Sequence, residues 1–306
     1  MKSLLIILKI SALVSDYDGT LCPTASISSK DNCIPQDLNT ILLDISKRIP
    51  VCILSSKDYQ FLSTHVNFAK IISCIMGIET ISYLDNDMKN RFEGNQDIII
   101  KNEKSDNTIL FNSHNNTRRY FLKNKKKILY NSTILENLAR DISSRFEDIK
   151  IYKKYTFTEN ILAGISFDYR HLLKWNNYKL HIEPKIQNRI NEHIKLNQSP
   201  GYELGIEMYE SHPFIDVYAI KISKGEALEF IREILNFEDQ KILYLGDSEN
   251  DNTAFKQADL SVSIISDNRI NTKLDSHYSL EFNELTNFLT NLYKEDFHFS
   301  NMFNRN

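Results

Sequence analysis

Ser15-Asp16-Tyr17-Asp18-Gly19-Thr20 is the stretch on which the reading of this chain turns. The apolar run Leu4 to Val14 before it predicts a strand, and Gly19 marks the turn that follows. Strand side chains alternate, so Asp16 and Asp18, two apart, can face one site at the strand's C-terminal end. Two carboxylates there suit a magnesium ion, which takes oxygen ligands and keeps positions open for water and a substrate phosphate. They also suit covalent chemistry, because an aspartate that attacks phosphorus forms an aspartyl-phosphate and divides one hard displacement into two easier ones.

Working outward, Pro35 opens a helix whose Leu38, Ile41, Leu42 and Ile45 form one apolar face. Val51-Cys52-Ile53-Leu54 reads as a strand that delivers Ser55-Ser56 at its end. A helix over Asp58 to Phe68 and a strand over Ile71 to Met76, closed by Gly77, continue the alternation. That order implies a parallel sheet with helices on its faces. The pattern resumes late in the chain. Lys224-Gly225-Glu226 opens a helix, and a strand from Lys241 to Leu245 ends in Gly246-Asp247-Ser248-Glu249-Asn250-Asp251. Leu260 to Ile265 reads as the last core strand, Leu285 to Leu292 as the terminal helix, and residues past Lys294 as loosely held.

Between these halves lies an insertion. Thr133 and Glu136 have capping-box spacing for a helix lined by Leu138, Ile142 and Phe146. Strand-like runs follow at Ile149–Phe157 and Ile161–Tyr169, then a helix beginning near Pro184, then strands at Tyr202–Tyr209 and Phe214–Ile220. Helix and strand pairs of this kind predict a small α+β unit with an antiparallel sheet. The expected division is a core of residues 1–84 and 210–306 around an insert of 85–209.

Composition narrows the function classes. At 306 residues, 42% hydrophobic and 25% charged, the chain is an ordinary globular one. A net charge of −3 offers no general attraction to nucleic acid or anionic membrane, so neither is an expected partner. Lys9 interrupts the N-terminal apolar run, which is too short to span a bilayer and reads as a buried strand. With no secretion signal, Cys22, Cys33, Cys52 and Cys74 are expected to be reduced thiols of a cytoplasmic protein. Arg118, Arg119, Lys123, Lys125, Lys126 and Lys127 make a basic stretch read as a solvated face.

Asp16-Tyr17-Asp18-Gly19-Thr20, Ser55, Lys224 and Gly246-Asp247-x-x-Asn250-Asp251, in that order, resemble the four signatures of the haloacid dehalogenase-like hydrolases. The resemblance implies a Rossmann-like core with an inserted cap and a phosphatase activity that uses Mg2+. Asp16 takes the place of the nucleophile and Asp18 that of the general acid and base. Ser55, Lys224 and the loop N–H groups around Gly19 would hold the phosphoryl group. Asp16, Asp18, Asp247 and Asp251 would form the metal set, with Asn250 behind them.

The insert sits where the second cap type of that superfamily sits, and resembles the caps of Cof-like and trehalose-phosphate phosphatases. Ser166-Phe167-Asp168-Tyr169-Arg170 is similar to a trehalose-type strand ending in His-Tyr-Arg, with Asp168 in place of the His. Arg170 is therefore the candidate substrate contact in the cap. The expected function is a phosphomonoesterase of a small sugar phosphate, trehalose-6-phosphate being the first compound to try. Mannosyl-3-phosphoglycerate or phosphoglycolate hydrolysis, a phosphomannomutase-like transfer and a silent binding module are the alternatives.

Overall fold

The structure, a computed structural model, describes residues 8–23, 34–83, 108–111, 119–172, 175–197, 199–210, 212–236, 241–265 and 274–299. The first part comprises β1 (Leu8–Ser15), α1 (Gln36–Ser46), β2 (Val51–Leu54), α2 (Tyr59–Leu62), β3 (Ile71–Cys74), β4 (Glu79–Ser82), β5 (Thr108–Phe111) and β6 (Arg119–Leu122). Next come α3 (Lys125–Arg145), β7 (Lys150–Tyr155), β8 (Leu162–Asp168), α4 (Trp175–Asn197), β9 (Gly205–Met208) and β10 (Phe214–Tyr218). The chain then closes with α5 (Lys224–Leu235), β11 (Lys241–Gly246), α6 (Asn252–Gln257), β12 (Leu260–Ile265), β13 (Tyr278–Glu281), α7 (Leu285–Lys294) and β14 (His298–Phe299).

Strand alternation builds the larger sheet's two cores. Leu13, Val51, Ile53, Leu243 and Leu245 pack on one face with Leu38 and Leu42 of α1 and Leu285 and Leu289 of α7. Ala12, Val14, Cys52, Leu54, Ile242 and Tyr244 pack on the other with Leu228, Ile231 and Leu235 of α5 and Ala254 and Phe255 of α6. The strands run in the order β13-β12-β11-β1-β2-β3-β4-β6-β5, parallel from β13 to β3 and antiparallel beyond. Ser15 at the end of β1 is level with Leu245 of β11 and Ile53 of β2. The residues that follow these three strands, Asp16, Asp247 and Ser55, therefore emerge side by side at one edge. That is where the chain's progression across the sheet reverses, the usual ligand position in an open α/β sheet.

The second sheet, β7-β8-β10-β9, is antiparallel throughout. Ile165, Phe167, Ile215 and Val217 belong to the same core as Leu135, Leu138 and Ile142 of α3 and Ile186 and Ile190 of α4. Its other face carries polar groups, with Tyr152, Ser166, Asp216 and Glu207 in register across the four strands. Glu79 of β4 accepts hydrogen bonds from the N–H groups of Phe157 and Thr158 at 2.9 and 3.1 Å, joining this unit to the core.

Several elements depart from expectation. The strands divide between sheets elsewhere than at 85 and 209, since β5 and β6 pair into the larger sheet and β10 into the smaller one. The strand expected over 71–76 stops at Cys74, after which Ile75 and Met76 take positive φ and turn the chain into antiparallel β4. The helix expected over 58–68 closes after Leu62. α3 starts at Lys125, so Thr133 and Glu136 lie inside it, and α4 carries Pro184 within it because Ile182, Ile186 and Ile190 continue one buried face. β12 is followed by β13, and Phe297 and Phe299 are buried, so the described residues past Lys294, 295–299, are anchored against β1. Lys125 pairs with Glu159 at 2.8 Å and Lys123 stacks on Phe230, while Arg118 and Cys33 lie outside the described residues. Cys22, Cys52 and Cys74 are buried free thiols.

Candidate active site

Lys224 organises the floor of the site. It is the first residue of α5, whose N-terminus is closed by a reciprocal capping box between Ser223 and Glu226. A lysine is out of place beside the positive end of a helix and, at 0% exposure, has no water to hydrate it. Two carboxylates compensate: its Nζ lies 2.7 Å from Asp16 Oδ2 and 2.7 Å from Asp251 Oδ1. Burial raises the Asp16 carboxyl to about 6, Lys224 pulling it down and Asp251 and Asp18 pushing it further up.

Asp251 is a supporting carboxylate. Its Oδ1 accepts from Lys224 and from the Tyr244 hydroxyl at 2.6 Å, and its Oδ2 accepts from the Asp247 and Ser248 N–H groups, both at 2.9 Å. These donors, with the Ser248 hydroxyl at 3.4 Å from Oδ2, fill its acceptor positions, so it holds Lys224 and the acidic loop in place and leaves Asp16 and Asp247 to face a ligand. Gly246 makes this possible, because a Cβ there would lie 2.5 Å from Asp251 Cγ. Thr20 Oγ1 donates to Asp247 Oδ1 at 3.1 Å.

Oxygen atoms of Asp16, Asp247 and Asp251 lie within 4.8 Å of one another, and with Asp251 occupied by its own donors, Asp16 and Asp247 are the hard oxygens of this group left to fit Mg2+. The Asp18 carboxylate is outside this group. It pairs instead with Lys57 at 3.0 Å. Gly19 also differs from expectation: it takes φ +73° and its N–H donates to the Cys22 carbonyl, so it shapes the loop rather than offering its N–H to a phosphate. Ser55 is 1% exposed, and its Oγ accepts from the Lys57 N–H at 3.3 Å.

A cleft of about 500 Å³ stands above this floor, lined by Asp16, Asp18 and Asp247 from the core and by the polar face of the smaller sheet. Arg170 lies in its wall. Both Asp168 oxygens hold that residue, one through the backbone N–H at 2.9 Å and one through Nε at 2.7 Å, while the guanidinium sits over the Phe214 ring. Lys154 of the same sheet is buried, 3.0 Å from Asp216. Burial alone would raise the Asp216 carboxyl; Lys154 with the Ser166 and Tyr218 hydroxyls more than offsets it and holds it below the usual range. The sequence reading missed Lys57, Tyr244, Lys154, Tyr209 and Asp216. The i, i+2 spacing of Lys150, Tyr152 and Lys154 was the available signal for a polar sheet face.

The haloacid dehalogenase-like hydrolase family model matches residues 13–271. A phosphoglycolate phosphatase of Sulfurisphaera tokodaii is 27% identical over 186 residues, 58% of this chain and 75% of that protein. Among solved structures, a trehalose-6-phosphate phosphatase related protein aligns with a TM-score of 0.57 at 16% identity, over 93% of this chain and 98% of its own. The C-terminal domain of C. albicans trehalose-6-phosphate phosphatase aligns with a TM-score of 0.59 at 15% identity, over 94% and 93%. These two share the fold. With the family match spanning most of the sequence, the chain belongs to the haloacid dehalogenase-like hydrolases.

Proposed function

We propose that the protein is a magnesium-dependent phosphomonoesterase that cleaves a small sugar phosphate through an aspartyl-phosphate on Asp16. The observation that carries this reading is the Asp16–Lys224–Asp251 array beside Asp247 at the floor of a cleft. Asp16 attacks phosphorus, and the leaving oxygen departs with a proton from Asp18. Lys57, 3.0 Å away, stabilises the carboxylate that Asp18 becomes. Water then gives its proton to Asp18 and attacks phosphorus, releasing inorganic phosphate and restoring Asp16. Lys224 orients Asp16 and places positive charge beside the phosphoryl oxygens. Asp16 and Asp247 would hold magnesium, which would supply further neutralisation of that charge.

Charge balance in the wall supports a neutral leaving group. Lys57 pairs with Asp18, Lys154 with Asp216, Arg170 with Asp168 and Lys153 with Glu136. Of the five lysines and arginines that line the cleft only Lys150 stands outside these pairs, and a wall so largely matched suits the hydroxyls of a sugar better than a second anion. Phe61, Tyr152 and Phe214 add ring surface of the kind that packs on a sugar. Hydrolysis of a phosphorylated hydroxy acid is the second reading, favoured by the phosphoglycolate phosphatase relative.

Phosphate release from a panel of phosphorylated metabolites, with magnesium and with excess chelator, tests both. Sugar phosphates, trehalose-6-phosphate first, are expected to be turned over only with magnesium. Arg170→Ala should lower kcat/KM on the best sugar phosphate by about tenfold or more and leave a small chromogenic ester within about twofold. Activity in chelator would remove the metal, and phosphoglycolate as the best substrate would replace the sugar reading. Equal loss on both esters would remove Arg170 from substrate selection.

A further inference from the structure

Asp216 lies in the middle of β10 at 1% exposure, and four donors surround it. Lys154 Nζ at 3.0 Å and the Ser166 hydroxyl reach Oδ1; the Tyr209 and Tyr218 hydroxyls reach Oδ2 at 3.2 and 3.0 Å. With its acceptor positions filled, Asp216 has no capacity left for a substrate hydroxyl. It is a hub that aims its donors.

One of those donors reaches out of the smaller sheet. Tyr209, one residue past β9, donates to Asp216 and at the same time accepts from Asn250 Nδ2 at 3.1 Å. Asn250 sits in the acidic loop, where its Oδ1 accepts from Ser248 Oγ at 2.9 Å. The Ser248 and Asp247 N–H groups both bond to Asp251. A continuous series of hydrogen bonds therefore runs from Asp216 through Tyr209 and Asn250 to the loop that carries Asp247. His212 makes a second contact with that loop, 3.8 Å from Glu249, and its ring and Phe214's pack against the Tyr209 ring. Buried to 3% exposure and braced by those rings, Tyr209 has its hydroxyl direction determined by its surroundings.

We propose that Tyr209 is a positioning residue whose hydroxyl, aimed by Asp216, holds Asn250 and through it the acidic loop in the arrangement that presents Asp247 to a divalent ion. Residues of the substrate-selecting wall thereby set the metal affinity of the floor. The proposal rests on the reading that Asp16 and Asp247 hold the ion. Losing the link lowers the fraction of loops in the binding arrangement, and apparent affinity falls by that fraction.

Mn2+ titrated into the full-length protein without substrate, with free Mn2+ followed by its electron paramagnetic resonance signal, tests this. Tyr209→Phe and Asn250→Ala are each expected to weaken Mn2+ binding about threefold to tenfold, the scale of one net hydrogen bond. The double variant should bind no more weakly than the weaker single, because both changes break one link. Tyr218→Phe removes a neighbouring donor from Asp216 without touching the loop, and should leave affinity within about twofold of the unmodified protein. Thermal melts establish that each variant is folded. Full affinity in folded Tyr209→Phe, additive losses in the double variant, or an equal loss in Tyr218→Phe would overturn the proposal alone. Absence of Mn2+ binding by the unmodified protein would overturn both it and the metal reading.

Discussion

Asp16→Asn is expected to lower turnover of every phosphate ester by more than about a thousandfold, because the amide has no anion to attack phosphorus. The fold should survive the change. The Tyr17 N–H now donates to Asp16 Oδ1 at 2.7 Å, and the amide oxygen can accept that bond, while Lys224 keeps its contact with Asp251. Removing a charge that burial disfavours also costs the folded state little, since the carboxyl already sits at about 6. Steady-state assays beside a denaturation curve separate the two effects. A variant within about tenfold of the unmodified rate would rule out attack by Asp16.

Lys224→Met should damage stability as well as rate. The side chain keeps its length and apolar stem but leaves Asp16, 6% exposed, and Asp251, 0% exposed, without the cation between them. Breaking one partner out of a buried ion cluster costs about 3–5 kcal/mol. The sign with pH follows from the carboxylates. Asp16 is already raised above its ordinary value by burial, and without Lys224 it rises further, so the variant's folded state gains by taking up a proton. Its deficit is therefore largest at alkaline pH and shrinks on acidification, beginning above pH 6. Urea unfolding of both proteins at several pH values measures the gap. A constant gap, or one that widens in acid, would contradict the array as described.

The core and its acidic motifs were readable because each motif is short and local. Asp16-x-Asp18 and Gly246 to Asp251 follow apolar runs directly, and strand ends in a parallel sheet gather at one edge. The smaller sheet's polar wall was not readable, since Lys154, Ser166, Tyr209 and Asp216 are separated in sequence and meet only through antiparallel pairing. Pro184 misled for a different reason. Proline favours the first turn of a helix, but Ile182, Ile186 and Ile190 bury a stripe that runs through it, and that packing outweighs the lost backbone bond. β5 and β6 follow a polar segment without clear periodicity, so their membership of the larger sheet depends on the antiparallel pairing begun by β4. Asp251 had the right position for a metal ligand. Its supporting role became apparent only from the five donors that converge on it.

Chemical trapping of the intermediate identifies the residue that carries phosphate. An acyl phosphate is reduced by borohydride to the alcohol, whereas a free carboxylate is not, so a turnover mixture quenched with borohydride records which residue carried phosphate. Mass spectrometry of the digested chain is expected to find homoserine at position 16, dependent on substrate and on magnesium and absent from Asp16→Asn. An unmodified Asp16 during turnover, or reduction at another carboxylate, would contradict nucleophilic attack by Asp16.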